Sequence, residues 1–193
     1  MMRRTQKNRK FIIIAMILLL LISVGYAALS TTLTINGTAN ISAASWNVYF
    51  TNIQTTNGSV IPTVAPTVSG TSTVTLNYTV TLEAPGDFYE FTVDVKNGGT
   101  INAKIATDGI SNTTLTTAQD ALVNYTVTYS NGDAIQVGDK LSKSGATISG
   151  IGDTRTIKVR VEYDPNVTAA QLNAMNGEDI TLDLEFSLTY VQD

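Results

Sequence analysis

The chain has 193 residues, a formal net charge of −4, and neither cysteine nor histidine. Disulfide bonds, zinc sites built on imidazole or thiolate, and serine–histidine or cysteine–histidine catalysis are therefore excluded. Five of the twelve bases lie in the first ten residues, so residues 28–193 carry 12 − 5 = 7 bases and 16 acids, a net charge of −9. A domain this acidic is expected to repel nucleic acid and anionic lipid.

The amino terminus has the pattern of an export signal. Its bases precede twelve apolar residues, 11–22, which are followed by the small residues Gly25, Ala27 and Ala28. This order is typical of a secretory signal peptide and predicts cleavage after Ala27 or, as second choice, after Ala28. The alternative for residues 1–27 is a membrane anchor, because residues 11–29 are long enough to span a bilayer with the amino terminus in the cytoplasm. Both interpretations place the remainder outside, either secreted or at the cell surface.

Beyond Ala28 the sequence predicts β-strands throughout, because apolar and polar residues alternate with a period of two. The alternation is clearest over residues 179–192 and recurs over residues 72–83, 87–97 and 154–163. One-sided alternation favours antiparallel sheets, so residues 42–193 are predicted to form an all-β sandwich of nine or ten strands, jelly-roll or Ig-like. The predicted core includes Trp46, Phe91, Val93, Ile157, Val159, Val161, Leu184, Phe186 and Leu188.

Turn residues divide these strands. The pairs Asn97-Gly98 and Asn131-Gly132 each stand between two predicted strands, and Asn-Gly is the sequence best able to form a tight hairpin. Two short helical segments are predicted, over residues 167–175 after Asp164-Pro165-Asn166 and over residues 111–120.

Without histidine or cysteine, an enzyme would need carboxylates, lysine or tyrosine, and the candidate groups in this sequence are carboxylates. Two groups of oxygen-bearing side chains could hold calcium, although neither matches the twelve-residue calcium loop and the same residues serve as turn formers. These groups are Asn131, Asp133 and Asp139, and Asp164, Asn166, Glu178 and Asp179. A carboxylate hydrolase needs two acids facing a cleft, whereas the strand acids lie on the polar phase of their strands. The sequence therefore predicts no enzyme, no metal and no cofactor.

Two segments carry a family resemblance: residues 82–104, and the signal region, in which SVGYAALS at residues 23–30 leads into a threonine-rich strand as in the signal-peptidase substrates of the same family. The run LEAPGDFYEFTVDVKNGGTINAK, residues 82–104, resembles the core of the TasA/camelysin family, in which a Pro-Gly-Asp turn precedes a strand and Asn-x-Gly-Thr follows it. The resemblance implies an exported jelly-roll protein of Gram-positive bacteria that builds biofilm matrix fibres. Some relatives are labelled metallopeptidases, but a zinc protease does not transfer to a chain without histidine or cysteine.

The resemblance also implies a role for residues 28–41 as a donor strand that enters the next subunit. Leu29, Leu33 and Ile35 alternate with polar residues and are the predicted anchors, each contributing about 1.5–3 kcal/mol if buried. The alternatives are the domain's own first strand or a disordered tail. The expected partners are therefore further copies of the chain, with signal peptidase during export. The rival function is a surface adhesin or ligand-binding module.

Overall fold

The computed structural model describes residues 3–29, 43–174 and 179–193. Helix α1 spans Arg3–Leu29, and its large apolar side chains from Phe11 to Ile22 are all more than half exposed. Among the described residues, no helix combines the length and the apolar character needed to cross a membrane. Ala43–Asp193 forms a separate compact unit.

Nine strands and two short helices make up the described part of this unit, in agreement with the nine or ten strands predicted. The strands are β1 Val48–Gly58, β2 Val64–Ser69, β3 Thr73–Leu82, β4 Phe88–Asn97, β5 Ala103–Asn112, β6 Val123–Tyr129, β7 Lys140–Leu141, β8 Thr154–Tyr163 and β9 Ile180–Gln192. Helix α2, Thr117–Asp120, and helix α3, Ala169–Ala174, lie within the two predicted helical segments. Thr116 and Gln119 form a capping box that satisfies the first N–H groups of α2.

The strands form two antiparallel sheets. Sheet 1 has the order β1-β4-β8-β6, and sheet 2 has the order β2-β3-β9-β5-β7. Aromatic rings meet between the sheets: Phe50 of β1 lies 6.3 Å from Phe186 of β9, and Tyr78 of β3 lies 5.1 Å from Phe91 of β4. The prediction of an all-β fold with two antiparallel sheets is confirmed.

The core follows the period-two pattern. In β9 every second side chain from Ile180 to Tyr190 is buried and its neighbours face outward. Eight of the nine predicted core residues are at most 2% exposed, whereas Trp46 is half-buried and packs against the edge of the core. Each fully buried aliphatic side chain contributes about 1.5–3 kcal/mol, so the alternation is the main source of stability in this cysteine-free domain.

The two predicted Asn-Gly hairpins are not formed as expected. Asn97-Gly98 follows β4 of sheet 1, but the next strand, β5, belongs to sheet 2. Asn131-Gly132 does form a tight turn, with Gly132 at φ +92°, yet only the single bridge between Thr128 and Ala134 follows it. Residues 134–141 contribute only the two-residue strand β7, again in sheet 2. Asn-Gly pairs here redirect the chain between sheets.

Candidate functional site: the amino-terminal clamp

The segment that enters β1 is fastened to the turn that leaves β4. The backbone N–H of Gly98 donates to the Asn47 carbonyl at 2.7 Å, and the N–H of Thr100 donates to the Ser45 carbonyl at 2.9 Å. In return, the N–H of Ser45 donates to Thr100 Oγ1 at 2.8 Å. We call residues 45–47 and 97–100 together the amino-terminal clamp. It fixes the point from which the chain toward the amino terminus departs.

The side chain of Asn97 makes hydrogen bonds within the turn formed by residues 97–101. Its side chain is fully buried, its Nδ2 donates to the Ile101 carbonyl at 2.8 Å, and its Oδ1 accepts the N–H of Gly99 at 2.9 Å. The backbone N–H of Asn97 donates to the Asp153 carbonyl at 2.8 Å. A buried amide must have partners, because an unsatisfied polar group costs about 1–3 kcal/mol. The asparagine therefore holds the turn in one conformation.

Gly99 is required because another backbone segment lies too close for a side chain. Its φ is not in the left-handed region, so backbone conformation is not the reason. A Cβ atom placed on it would lie 2.6 Å from the Ser45 carbonyl oxygen and 3.0 Å from the Asn47 nitrogen. The turn and the entering segment therefore pack backbone against backbone, which is one of the uses of glycine in folded proteins.

Trp46 attaches the same segment to sheet 2. Its indole N–H donates to Ser72 Oγ. Ser72 precedes β3 with φ +76°, an unusual value for a residue other than glycine. The Ser72 backbone bonds to both sheets, because its N–H donates to the Val48 carbonyl at 3.3 Å and its carbonyl accepts the Tyr190 N–H at 2.7 Å. Trp46 therefore keeps its ring against the core while its N–H finds a partner at the rim.

Asp153 supports the clamp from the loop before β8. Its Oδ2 accepts the N–H of Gly145 at 2.8 Å, and its Oδ1 accepts the hydroxyl of Thr154 at 2.9 Å. These bonds, first that from the Gly145 backbone, hold the pKa of the Asp153 carboxyl below its usual value. Ser144, in the same loop, donates its N–H to the Gly99 carbonyl at 2.9 Å. The ionised carboxylate thus steadies the loop that contacts the turn.

The Pro-Gly-Asp turn is a second ordered motif of the resembling segment. Gly86 has φ +94°, and Asp87 Oδ2 accepts the N–H groups of Glu83 and Ala84 at 3.0 and 2.9 Å. Desolvation raises the pKa of Asp87, but the bonds from Ala84, Ser59 and Glu83 outweigh it and leave the pKa lowered. Both motifs that carry the resemblance are therefore backbone-shaping turns at the ends of β4.

The other predicted site residues lie apart from the clamp or outside the described part. Ala27, Ala28 and Leu29 belong to α1, and Leu33 and Ile35 lie outside the described residues. In the first proposed calcium group, Asn131 bonds to Asp133 through both its amide atoms, and Asp139 Oδ2 accepts from the Tyr129 hydroxyl. In the second, Asp164 Oδ1 accepts from Asn166, and Glu178 lies outside the described residues. Within the described residues, no group of three or more acids is arranged to hold a metal ion.

Comparisons with protein-family models, with curated proteins and with solved structures found no match to this chain.

Proposed function

We propose that the chain is an exported structural protein of the cell surface or extracellular matrix, whose subunits join into fibres by exchange of their amino-terminal strands. The observation that carries this proposal is the amino-terminal clamp. Two backbone–backbone hydrogen bonds, the bond from the Ser45 N–H to Thr100 Oγ1 and the Trp46–Ser72 bond hold residues 45–47, which are the first part of the described domain after Ala43 and Ala44.

A strand that joins two subunits must be fixed at its root, because tension applied to a loosely held segment would peel it away from its own domain. The clamp meets this requirement through bonds to both sheets. Since Asn97 and Gly99 are buried or tightly packed, the contact has a defined geometry.

The strand order supports a jelly-roll variant over an Ig-like fold. From β3 to β9 every successive strand changes sheet, and β2 and β3 are the only consecutive strands that pair with each other among the described residues. Alternation between sheets arises when a long antiparallel ribbon rolls up, as in jelly rolls.

Helix α1 fits the role of export signal. Its basic residues come first, and its apolar side chains from Phe11 to Ile22 are exposed and so available to the export machinery. Cleavage after Ala27 or Ala28 would release residues 28–41 as a free segment. Amino-terminal sequencing of the exported protein tests this step directly, and a start at Met1 or Met2 would contradict it.

Electron microscopy of the purified exported protein tests the assembly. We expect filaments from the complete chain and their loss when residues 28–37 are deleted, with the circular dichroism spectrum of the domain preserved. Filaments that form at the same rate without residues 28–37 would refute strand exchange. A protein that stays monomeric at every concentration would instead favour a surface adhesin.

A further inference from the structure

Strand exchange needs an acceptor as well as a donor, and the sheets offer a limited choice. Four edge strands flank the two sheets in the described residues: β1 and β6 in sheet 1, and β2 and β7 in sheet 2. An added strand must find a continuous row of unpaired N–H and C=O groups, so an irregular edge is a poor acceptor.

Three of these edges are interrupted. Strand β1 shifts register against β4 twice, and Asn52 within it has φ +52°. Strand β2 shifts register once and contains Pro66, which lacks an N–H. Strand β7 is two residues long, and the part of β5 beyond it shifts register between Ile105 and Ile110. Bulges, prolines and short strands are the usual means by which proteins prevent pairing at an edge.

Strand β6 is different, because it pairs with β8 in uninterrupted register from Val123 to Tyr129. The Leu122 carbonyl accepts the Asp164 N–H at 2.8 Å, and the Ser130 N–H donates to the Thr156 carbonyl at 2.9 Å. Because residues of an antiparallel strand bond to a given neighbour at every second position, the even-numbered residues from Leu122 to Ser130 are those that bond to β8.

The odd-numbered residues point their backbone N–H and C=O groups to the side of β6 that has no neighbouring strand. Tyr129 is one of them, and its N–H donates to the Asp133 carbonyl at 2.9 Å, which covers that end of the edge. By the same alternation the backbone groups of Val123 and Tyr125 and the N–H of Val127 point away from β8, whereas the bridge between Thr128 and Ala134 covers the edge beyond them. We call residues 123–127 the open edge.

A cavity of about 330 Å³ opens beside the open edge. It is lined by Tyr125, by Asn112 at the end of β5, by Asp120 of α2, and by three residues of the connection between them, Thr113, Thr114 and Leu115. Recognition by strand addition combines ladder bonds with pockets for alternate side chains, and the open edge offers both.

We propose that the open edge of β6 is the acceptor for residues 28–41 of a second copy of this chain. This inference rests on the function proposed above and names the surface that the donor strand occupies.

The chemistry of the two segments is compatible. Neither residues 28–41 nor residues 123–129 contain a charged side chain, although the exported part carries a net charge of −9, so pairing them brings no like charges together. Leu33 and Ile35 alternate with threonine, and in an added strand they would extend the inward-facing row of Val123, Tyr125 and Val127.

The length is also sufficient. Thirteen residues, 30–42, precede the first described residue of the domain, Ala43. At a rise of about 3.3 Å per residue they reach about 43 Å when extended, enough to pass from the clamp of one subunit onto the sheet of another.

The absence of cysteine from the natural chain permits a background-free test by disulfide cross-linking. One tagged protein carries Thr32→Cys or Thr34→Cys, and a second, differently tagged protein carries Thr126→Cys on the outer face of β6. The matched control replaces Thr126→Cys with Asn77→Cys, an exposed position on β3, which lies inside sheet 2. The proteins are mixed, allowed to assemble, oxidised and separated without reductant.

We expect the doubly tagged cross-linked species to be several-fold more abundant with Thr126→Cys than with Asn77→Cys, because a disulfide requires Cα atoms within about 7 Å. Filaments without this preference would overturn the assignment of the open edge and leave strand exchange standing. No filaments from the unaltered chain would overturn both. In a single protein carrying Thr34→Cys and Thr126→Cys, cross-linking within the monomer would show that a chain fills its own edge, which also overturns the proposal.

Discussion

Replacing Asn97 with alanine tests whether the amino-terminal clamp is organised by this buried amide. The substitution removes two hydrogen bonds, to the Ile101 carbonyl at 2.8 Å and from the Gly99 N–H at 2.9 Å. The backbone groups of both partners then lose their bonds where water has little access. At about 1–3 kcal/mol for the buried N–H and about 1 kcal/mol for the partly buried carbonyl, we expect Asn97→Ala to lower the free energy of unfolding by about 2–4 kcal/mol.

Asn57→Ala is the matched control. Asn57 also precedes a glycine, but it is exposed and its side chain only accepts the Gly58 N–H at 3.0 Å. Exposed substitutions of this kind usually change stability by no more than about 0.5 kcal/mol. The two variants therefore make the same chemical change in the same dipeptide, with and without burial.

Urea unfolding followed by fluorescence and by circular dichroism measures the effect. Trp46 is the sole tryptophan and belongs to the clamp, so fluorescence reports this region while circular dichroism reports the sheets. In thermal unfolding followed by the same two signals, we expect the melting temperature of Asn97→Ala to fall by about 2–4 °C for each kcal/mol lost. If Asn97→Ala loses no more stability than Asn57→Ala, the clamp does not depend on the buried amide and the reasoning is wrong.

Three further predictions follow from the same contacts. Phe186→Ala removes a fully buried ring between the sheets and should cost about 3–5 kcal/mol in urea unfolding, a value under 1 kcal/mol being inconsistent with the core described. Gly99→Ala should displace residues 45–47 and shift Trp46 emission in the folded state, because its Cβ would lie 2.6 Å from the Ser45 carbonyl oxygen; an unchanged spectrum would contradict that packing. Asp153 has a folded-state pKa below its ordinary 3.8, so its contribution to stability is present above pH 3.8 and is lost as the pH falls through the folded-state pKa. Acid titrations of the unaltered chain and of Asp153→Asn check this, since the variant should lose less stability over that interval, and parallel curves would count against it.

The sequence predicted the strands well because burial on one face is a local property. In β4, β8 and β9 the side chain at each second position enters the core, so the alternation is visible without knowledge of any partner. Trp46 departs from the pattern because its indole N–H needs a hydrogen-bond acceptor, and Ser72 provides one at the rim of the core.

Strand pairing could not be predicted in the same way. Thr73 pairs with Thr189, which lies 116 residues further along the chain, and Asn-Gly pairs that favour local hairpins instead carry the chain from one sheet to the other. The clamp was missed for a related reason, since its two halves are about fifty residues apart. The adjacent Gly98 and Gly99 were the available signal in the sequence, because glycine permits a close approach of two backbones, which the structure shows at Gly99.

The position of β9 constrains how this protein comes to be folded. Strand β9 stands between β3 and β5 in the middle of sheet 2, although it follows all other described strands along the chain. A polypeptide made from its amino terminus delivers that strand after every strand that it must join. Until residues 180–192 are available, the edges of β3 and β5 that pair with β9 stay unpaired. An early stop codon before Ile180 would therefore remove the strand that joins β3 to β5, instead of giving a slightly shorter protein of the same fold.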